Sequence, residues 1–150
     1  MNERYRAHVL AVRQAAAARH AAEVAARQAA EQARRAAERR RQAAARRTAM
    51  SGTPQQIAMA MLPSYGWSSS EFSCLDSLWE HESGWNPYAS NPSSGAYGIP
   101  QALPGSKMAS AGPDWESNAA TQIRWGLGYI KATYGSPCSA WSHESSTGWY

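Results

Sequence analysis

The sequence predicts a mostly α-helical protein in two unlike parts, a small helical domain preceded by a long Ala/Arg-rich helix. Three observations carry this. Composition changes abruptly near residue 50: residues 1–48 hold twelve Arg and four Glu, a net +8, whereas residues 49–150 hold three basic and seven acidic groups, a net −4. All seven Trp, the only Phe, both Cys and every Gly and Pro fall after residue 50. Beyond that point, apolar stretches of helical spacing alternate with helix start and stop signals.

Residues 5–47 read as one helix because Ala and Arg dominate, both rank high in helix propensity, and no Gly or Pro interrupts them. At 1.5 Å per residue such a rod is about 65 Å long. Glu23 with Arg27 and Glu31 with Arg35 are i,i+4 pairs in the favourable orientation. The large side chains Tyr5, Val9, Leu10, Val12 and Val24 are too few for a sustained heptad seam. Three readings stay open for residues 1–48: a solvated spacer, a weak Ala-faced coiled coil, or an arm drawn to polyanions such as anionic wall polymers or a membrane surface. That attraction is salt-sensitive and carries no specificity for nucleic acid.

Residues 53–150 must therefore build the core. A domain of that size buries only about 60–65 % of its unfolded surface, so a covalent staple would help it. Thr53, Pro54 and Gln56 spell a capping box with Pro at the first helical position, opening a short helix through Ile57, Met59 and Met61 that stops at Pro63. Ser68 and Glu71 repeat the box and start a helix to about Ser83, ended by Gly84 and Asn86-Pro87. After a long loop, Asn118 caps a helix to Tyr134 whose Ile123, Leu127, Ile130 and Tyr134 form one stripe ending at Gly135. Ser136-Pro137 then starts a short helix carrying Cys138 and Trp141.

The helix ending at Ser83 holds the chemistry. With Leu75 at 0° on a wheel of about 100° per residue, Phe72 falls at about 60°, Leu78 at about 300°, Trp79 at about 40° and Glu82 at about 340°. Glu80 falls at about 140°, away from that face. Glu82 is thus a carboxyl on an apolar face in the last turn of a helix. Desolvation and the negative end of the helix dipole both raise the pKa of such a group, which suits a general acid. The bland alternative is a Glu that escapes the core where the helix ends. The loop from Asn86 to Gly105 is rich in Pro, Ser and Gly yet carries Tyr88 and Tyr97, after Trp85. Aromatic faces flanked by Asn86 and Gln101 suit flat sugar rings, and Gly95 and Gly98 permit positive φ or close backbone approach. An ordinary loop packed by its own aromatics is the competing reading.

Glu82-Ser83, Asn86 and Gly95-Ala96-Tyr97-Gly98-Ile99-Pro100-Gln101 resemble the catalytic block of the lysozyme-like soluble lytic transglycosylases, relatives of goose-type lysozyme. That block reads Glu-Ser, a short gap, Asn, then Gly-Ala-x-Gly-Leu-Met-Gln. The resemblance runs from about Thr53 to Tyr150, and more narrowly the chain is similar to secreted actinobacterial members with an Ala/Lys/Arg/Glu-rich N-terminal stretch and a Cys pair. It implies a lysozyme-like domain acting on peptidoglycan glycan strands without a cofactor. By the same resemblance Glu82 is the acid and base, and Ser83 and Asn86 support it. Tyr97, Gly98, Ile99 and Gln101 border the sugar, and Trp141 lines the site. Pro100 stands where the family has Met, and Ala140-Trp141-Ser142 stands where it has Ala-Tyr-Asn. These departures bear on sugar contacts more than on the acid.

The family's chemistry accounts for a lone acid. Hydrolytic glycosidases pair two carboxylates about 5 to 9.5 Å apart. A lytic transglycosylase is implied to cleave the MurNAc–GlcNAc bond with one Glu, which protonates the leaving oxygen and then takes the proton of the muramoyl 6-hydroxyl as a 1,6-anhydro ring closes. Glu80 points the wrong way for a partner, while Asp76, Asp114 and Glu116 remain candidates in a hydrolytic muramidase. A non-catalytic wall-binding module is the alternative outside enzymes. For an exported wall enzyme, Cys74 and Cys138 are expected to form a disulfide, with two buried thiols as the other reading. No metal-spaced cluster is visible; His81 and His143 read as satisfied polar residues. No secretory signal is visible in Met1–Arg13. A secreted or wall-associated location therefore implies a start upstream of this chain or release by another route.

Overall fold

A computed structural model of the chain describes residues 2–150, without the side chains of 45–49. The chain is mostly helical and divides near Arg46 into two units. The first is the helix α1, Glu3–Ala49. Tyr5, Leu10, Val12 and Val24 are exposed along it, Val9 is half-buried, and Glu31 pairs with Arg35 one turn on. Among the described residues no helix is long and apolar enough to cross a membrane.

The second unit is built from α2 (Pro54–Met61), α3 (Phe72–Ser83), α4 (Ala119–Thr133) and α5 (Pro137–Thr147), with α2 packed on α4 and α3 on α5. The capping box of α2 forms as the sequence predicts: Gln56 N–H donates to Thr53 Oγ1 at 3.3 Å, and Thr53 N–H donates to Gln56 Oε1 at 3.0 Å. Asn118 caps α4 through Ala120 N–H at 2.9 Å. Leu62, Leu75, Leu78, Trp79, Ile123, Leu127 and Ile130 are all 0 % exposed and form the centre of the core. The apolar faces read from the wheels of α3 and α4 are the faces that are buried.

The second capping box does not form. Residues Ser69–Glu71 make a 3₁₀ turn, Ser68 Oγ pairs with Ser70 Oγ, and α3 begins only at Phe72. Glu71 has a stronger use. Its carboxylate accepts from Cys138 N–H at 2.9 Å, in the first turn of α5, where unpaired N–H groups and the positive end of the helix dipole favour an anion. Beside this contact Cys74 and Cys138 are bridged, with Cα atoms 4.9 Å apart. The disulfide closes a loop of 64 residues between α3 and α5, stabilising by about 4 kcal/mol on the chain-entropy estimate.

Candidate active site

Glu82 lies in the last turn of α3, and the local sequence fixes how that turn ends. Gly84 adopts φ +59° and Trp85 φ +58°, so two consecutive residues leave the helix in the left-handed region. For Gly84 this costs little; for Trp85 it is strained and must be held by its surroundings. Trp85 is 3 % exposed, its indole N–H donates to Asp76 Oδ1 at 3.0 Å, and its ring packs edge-on against Trp79 with centroids 5.1 Å apart. Asp76 is thereby committed to positioning Trp85.

The loop that follows folds back on itself and is clamped from three sides. Tyr97 and Ala102 exchange backbone hydrogen bonds of 3.1 and 3.0 Å, and Gly98 N–H donates to Ala89 O at 2.8 Å. Gly98 has φ +77°, and a Cβ there would lie 2.6 Å from Gln122 Oε1, so this position demands glycine twice over. From α3, Ser83 Oγ donates to Ile99 O at 2.8 Å. From α4, the fully buried Gln122 accepts from Ile99 N–H at 2.9 Å and donates to Pro87 O and Trp115 O at 2.9 and 2.8 Å. From the C-terminus, Tyr150 OH donates to Pro100 O and accepts from Trp79 Nε1–H, both at 2.8 Å.

These contacts place each residue named from the sequence. Ser83 ties the loop to the helix that carries Glu82. Asn86 is exposed and closes a turn, accepting from Tyr88 N–H at 2.9 Å. Tyr97 is half-buried, its hydroxyl donating to Glu116 O at 2.7 Å and its ring packed edge-on against Trp115. Ile99 is fully buried, and both its backbone groups are engaged by Gln122 and Ser83. Gln101, at φ +50°, donates through Nε2 to Gly98 O and Ala89 O at 2.9 and 3.2 Å. Trp141 on α5 is half-buried and lies edge-on to His81, centroids 6.3 Å apart. Most of the motif's hydrogen-bonding groups thus shape the loop, while Glu82 and the half-buried Tyr97, Gln101 and Trp141 keep surface toward solvent.

The electrostatics of Glu82 corrects one expectation. The acid is not alone: one carboxylate oxygen of Glu82, one of Glu144 and a ring nitrogen of His81 lie within 4.8 Å of one another. Burial, then the charge of Glu144, push the Glu82 carboxyl up to about 7, against a smaller opposing pull from His81. Glu144 is 3 % exposed; its Oε1 pairs with His81 Nδ1 at 3.2 Å, and its Oε2 is buried without a hydrogen-bond partner among the described residues. The carboxylates named earlier serve elsewhere: Asp76 holds Trp85, and Asp114 binds Asn118 and Thr121 at 2.6 and 2.7 Å. Glu116 is exposed. The three clustered groups offer a cation at most three ligands, two of them adjacent on one helix, short of the closed tetrahedron of a structural zinc site.

Gln122, Glu144 and Tyr150 are the functional residues that sequence reasoning missed. Glu144 shares its buried face with Ala140, four residues before it on α5, but the Ser-rich surroundings mark no apolar stripe there. Burial raises the Tyr150 hydroxyl well above its ordinary value, so it stays a neutral donor to the loop. No protein-family model, curated protein or solved structure matches the chain.

Proposed function

We propose that residues 53–150 cleave the MurNAc–GlcNAc β-1,4 bond of peptidoglycan as a lytic transglycosylase, with Glu82 as acid and then base. One observation carries the reading: a half-buried carboxyl, held near pH 7 by its surroundings, stands at the end of α3 directly before a clamped loop with Tyr97 and Gln101. At its ordinary value of 4.5, about 0.3 % of Glu82 would carry a proton at pH 7; at about 7 half of it does, roughly a 150-fold gain in the competent acid. The protonated carboxyl donates to the leaving GlcNAc oxygen as the C1–O bond breaks. The carboxylate then accepts the proton of the muramoyl 6-hydroxyl as that oxygen bonds to C1, closing the 1,6-anhydro ring and returning Glu82 to its starting form.

Glu144 gives a hydrolytic muramidase some support, because carboxylates about 5 Å apart characterise retaining glycosidases. Its burial counts against direct attack on a sugar. The transglycosylase is the preferred reading, with peptidoglycan glycan strands as partner and a secreted or wall-associated site of action. The basic α1 is a spacer or an arm toward anionic wall polymers, with Ala-faced coiled-coil pairing as a further role. Digestion of purified peptidoglycan by wild type and Glu82→Gln tests the enzyme reading. Muropeptides released by wild type alone support it; equal or absent release leaves a non-catalytic wall-binding module. Product masses separate the chemistries, anhydro ends being one water lighter than hydrolysed ends.

A further inference from the structure

Glu144 contributes a buried negative charge that the proposed reaction does not use. It lies on α5, one turn after Ala140 on the same face, so helix geometry turns it into the α3–α5 contact. A buried carboxylate is costly unless it is paired and hydrogen-bonded. Here only one oxygen is served, by His81 Nδ1 at 3.2 Å, while Oε2 is buried and unpartnered among the described residues. The closest titratable neighbours are on α3: His81 itself, 63 % exposed, and Glu82. Tyr134 at the C-cap of α4 and Tyr150 at the C-terminus also feel the Glu144 charge, but both hydroxyls are held neutral, Tyr134 up to about 12 and Tyr150 well above its ordinary value. His143, beside Glu144 on α5, packs against Tyr134 and Trp149.

At 3 % exposure Glu144 presents no oxygen to a sugar carbon, so it is not the nucleophile of a retaining mechanism. Its effect must pass through Glu82. We propose that Glu144 is a positioning residue for the proton of Glu82: its buried charge keeps that proton on Glu82 until the leaving oxygen takes it, and His81 acts as the counter-charge that sets how strongly. Two carboxylates this close do not both ionise readily, so the charge of Glu144 opposes loss of the proton from Glu82. After bond cleavage the same repulsion favours recapture of a proton by Glu82, which is what removing the 6-hydroxyl proton requires. The kinetic side of this inference rests on the transglycosylase reading; the coupling between the two carboxyls does not.

The test uses the full disulfide-bonded chain as wild type, Glu144→Gln, Glu144→Asp and His81→Gln. The side-chain carboxyl ¹³C resonance of Glu82, assigned by its loss in Glu82→Gln, is followed from pH 4 to 9. Removing the Glu144 charge should lower the Glu82 midpoint by about one pH unit, as expected for like charges under 5 Å apart. Glu144→Asp should keep it near the wild-type position, and His81→Gln should move it upward. In peptidoglycan digestion, the alkaline limb of kcat/KM should move in the same directions. Glu144→Gln should be about tenfold slower at pH 8, through kcat rather than KM. Coincident Glu82 midpoints in wild type and Glu144→Gln overturn the proposal. If Glu144→Gln does not fold, His81→Gln decides: an upward displacement supports the proposal and an unmoved midpoint overturns it. A wild type that digests nothing sinks the enzymatic reading alone, since the resonance still reports the coupling.

Discussion

Glu82→Gln should stabilise the protein at pH 8 and not at pH 4. In the folded chain Glu82 keeps its proton up to about pH 7, whereas an ordinary carboxyl releases it near 4.5. Between these values the folded state binds the extra proton, so wild-type stability falls as pH rises from about 4.5 to 7 and stays low above it. The full shift corresponds to about 3.4 kcal/mol. Glu82 is only half-buried, so solvent screening reduces this to about 1.5 kcal/mol. The amide of the Glu82→Gln variant has the same shape as the carboxyl and no charge to desolvate or to repel Glu144. The pH-dependent part of the difference between the two proteins should therefore be about 1.5 kcal/mol, or about 6 to 12 °C in Tm for a domain near 100 residues. Urea or thermal unfolding followed by circular dichroism at pH 4, 6 and 8, with the disulfide intact, measures it. Carboxyls that do not interact with Glu82 cancel in the comparison. A Glu82→Gln difference that is the same at pH 4 and pH 8 would refute the claim that burial and Glu144 hold the proton on Glu82.

Other expectations follow from the same contacts. Cleavage should decline as pH rises through about 7, because Glu82 must begin protonated; a rate flat from pH 6 to 9 would contradict its role as the acid. Gly98→Ala places a Cβ 2.6 Å from Gln122 Oε1 at a φ of +77°, so it should cost about 2 kcal/mol or more in chemical denaturation and displace the loop. Gln122→Leu strips partners from Ile99 N–H, Pro87 O and Trp115 O and should cost about 2 to 4 kcal/mol, with peptidoglycan cleavage lost before the fold is. Cys74→Ser with Cys138→Ser should lower stability by about 4 kcal/mol, and reductant should do the same to wild type. Residues 51–150 alone should retain cleavage, while the +8 segment, residues 1–48, should confer attraction to anionic polymers that fades as salt is raised.

Elements whose signals are local were legible in the sequence. Thr53 with Gln56 and Asn118 with Ala120 bond within three residues of each other, so their motifs say where α2 and α4 start. The wheel of α3 works because Leu75, Leu78 and Trp79 are large and mark the buried face without ambiguity. Ser68 with Glu71 shows the limit. The motif is present, but Glu71 meets the N-terminus of α5, 67 positions along the chain, and that non-local partner wins over the local one. Glu144 was hidden for a different reason. The neighbours of Glu144 on α5 are Ser142, His143, Ser145 and Ser146, so the helix shows no apolar stripe to mark its inner face. Gln122 was hidden for another reason: it lies about 100° from Ile123, beside the apolar stripe of α4 rather than in it, and its value lies in backbone groups of Pro87, Ile99 and Trp115.

Counting carboxylates is a weaker guide to glycosidase chemistry than asking which of them a substrate can touch. From sequence, a lone acid on the α3 face pointed to a nucleophile carried by the sugar. The folded chain supplies a second carboxylate, closer than the separation typical of inverting enzymes, yet seals it behind His81 and the α3–α5 packing. A charge so placed cannot attack carbon, but it can decide where a proton resides. That is the property a single acid needs if it must give its proton away and then take one back within one turnover. Burial lifts Glu82 toward neutrality, Glu144 lifts it further, and His81 pulls it partly back, leaving it poised near 7 rather than locked in the protonated form. An acid locked well above 7 would be a weak donor to the leaving oxygen, and one left at 4.5 would seldom hold a proton to give. The opposed effects of His81 and Glu144 on Glu82 therefore suit an acid that works in both directions.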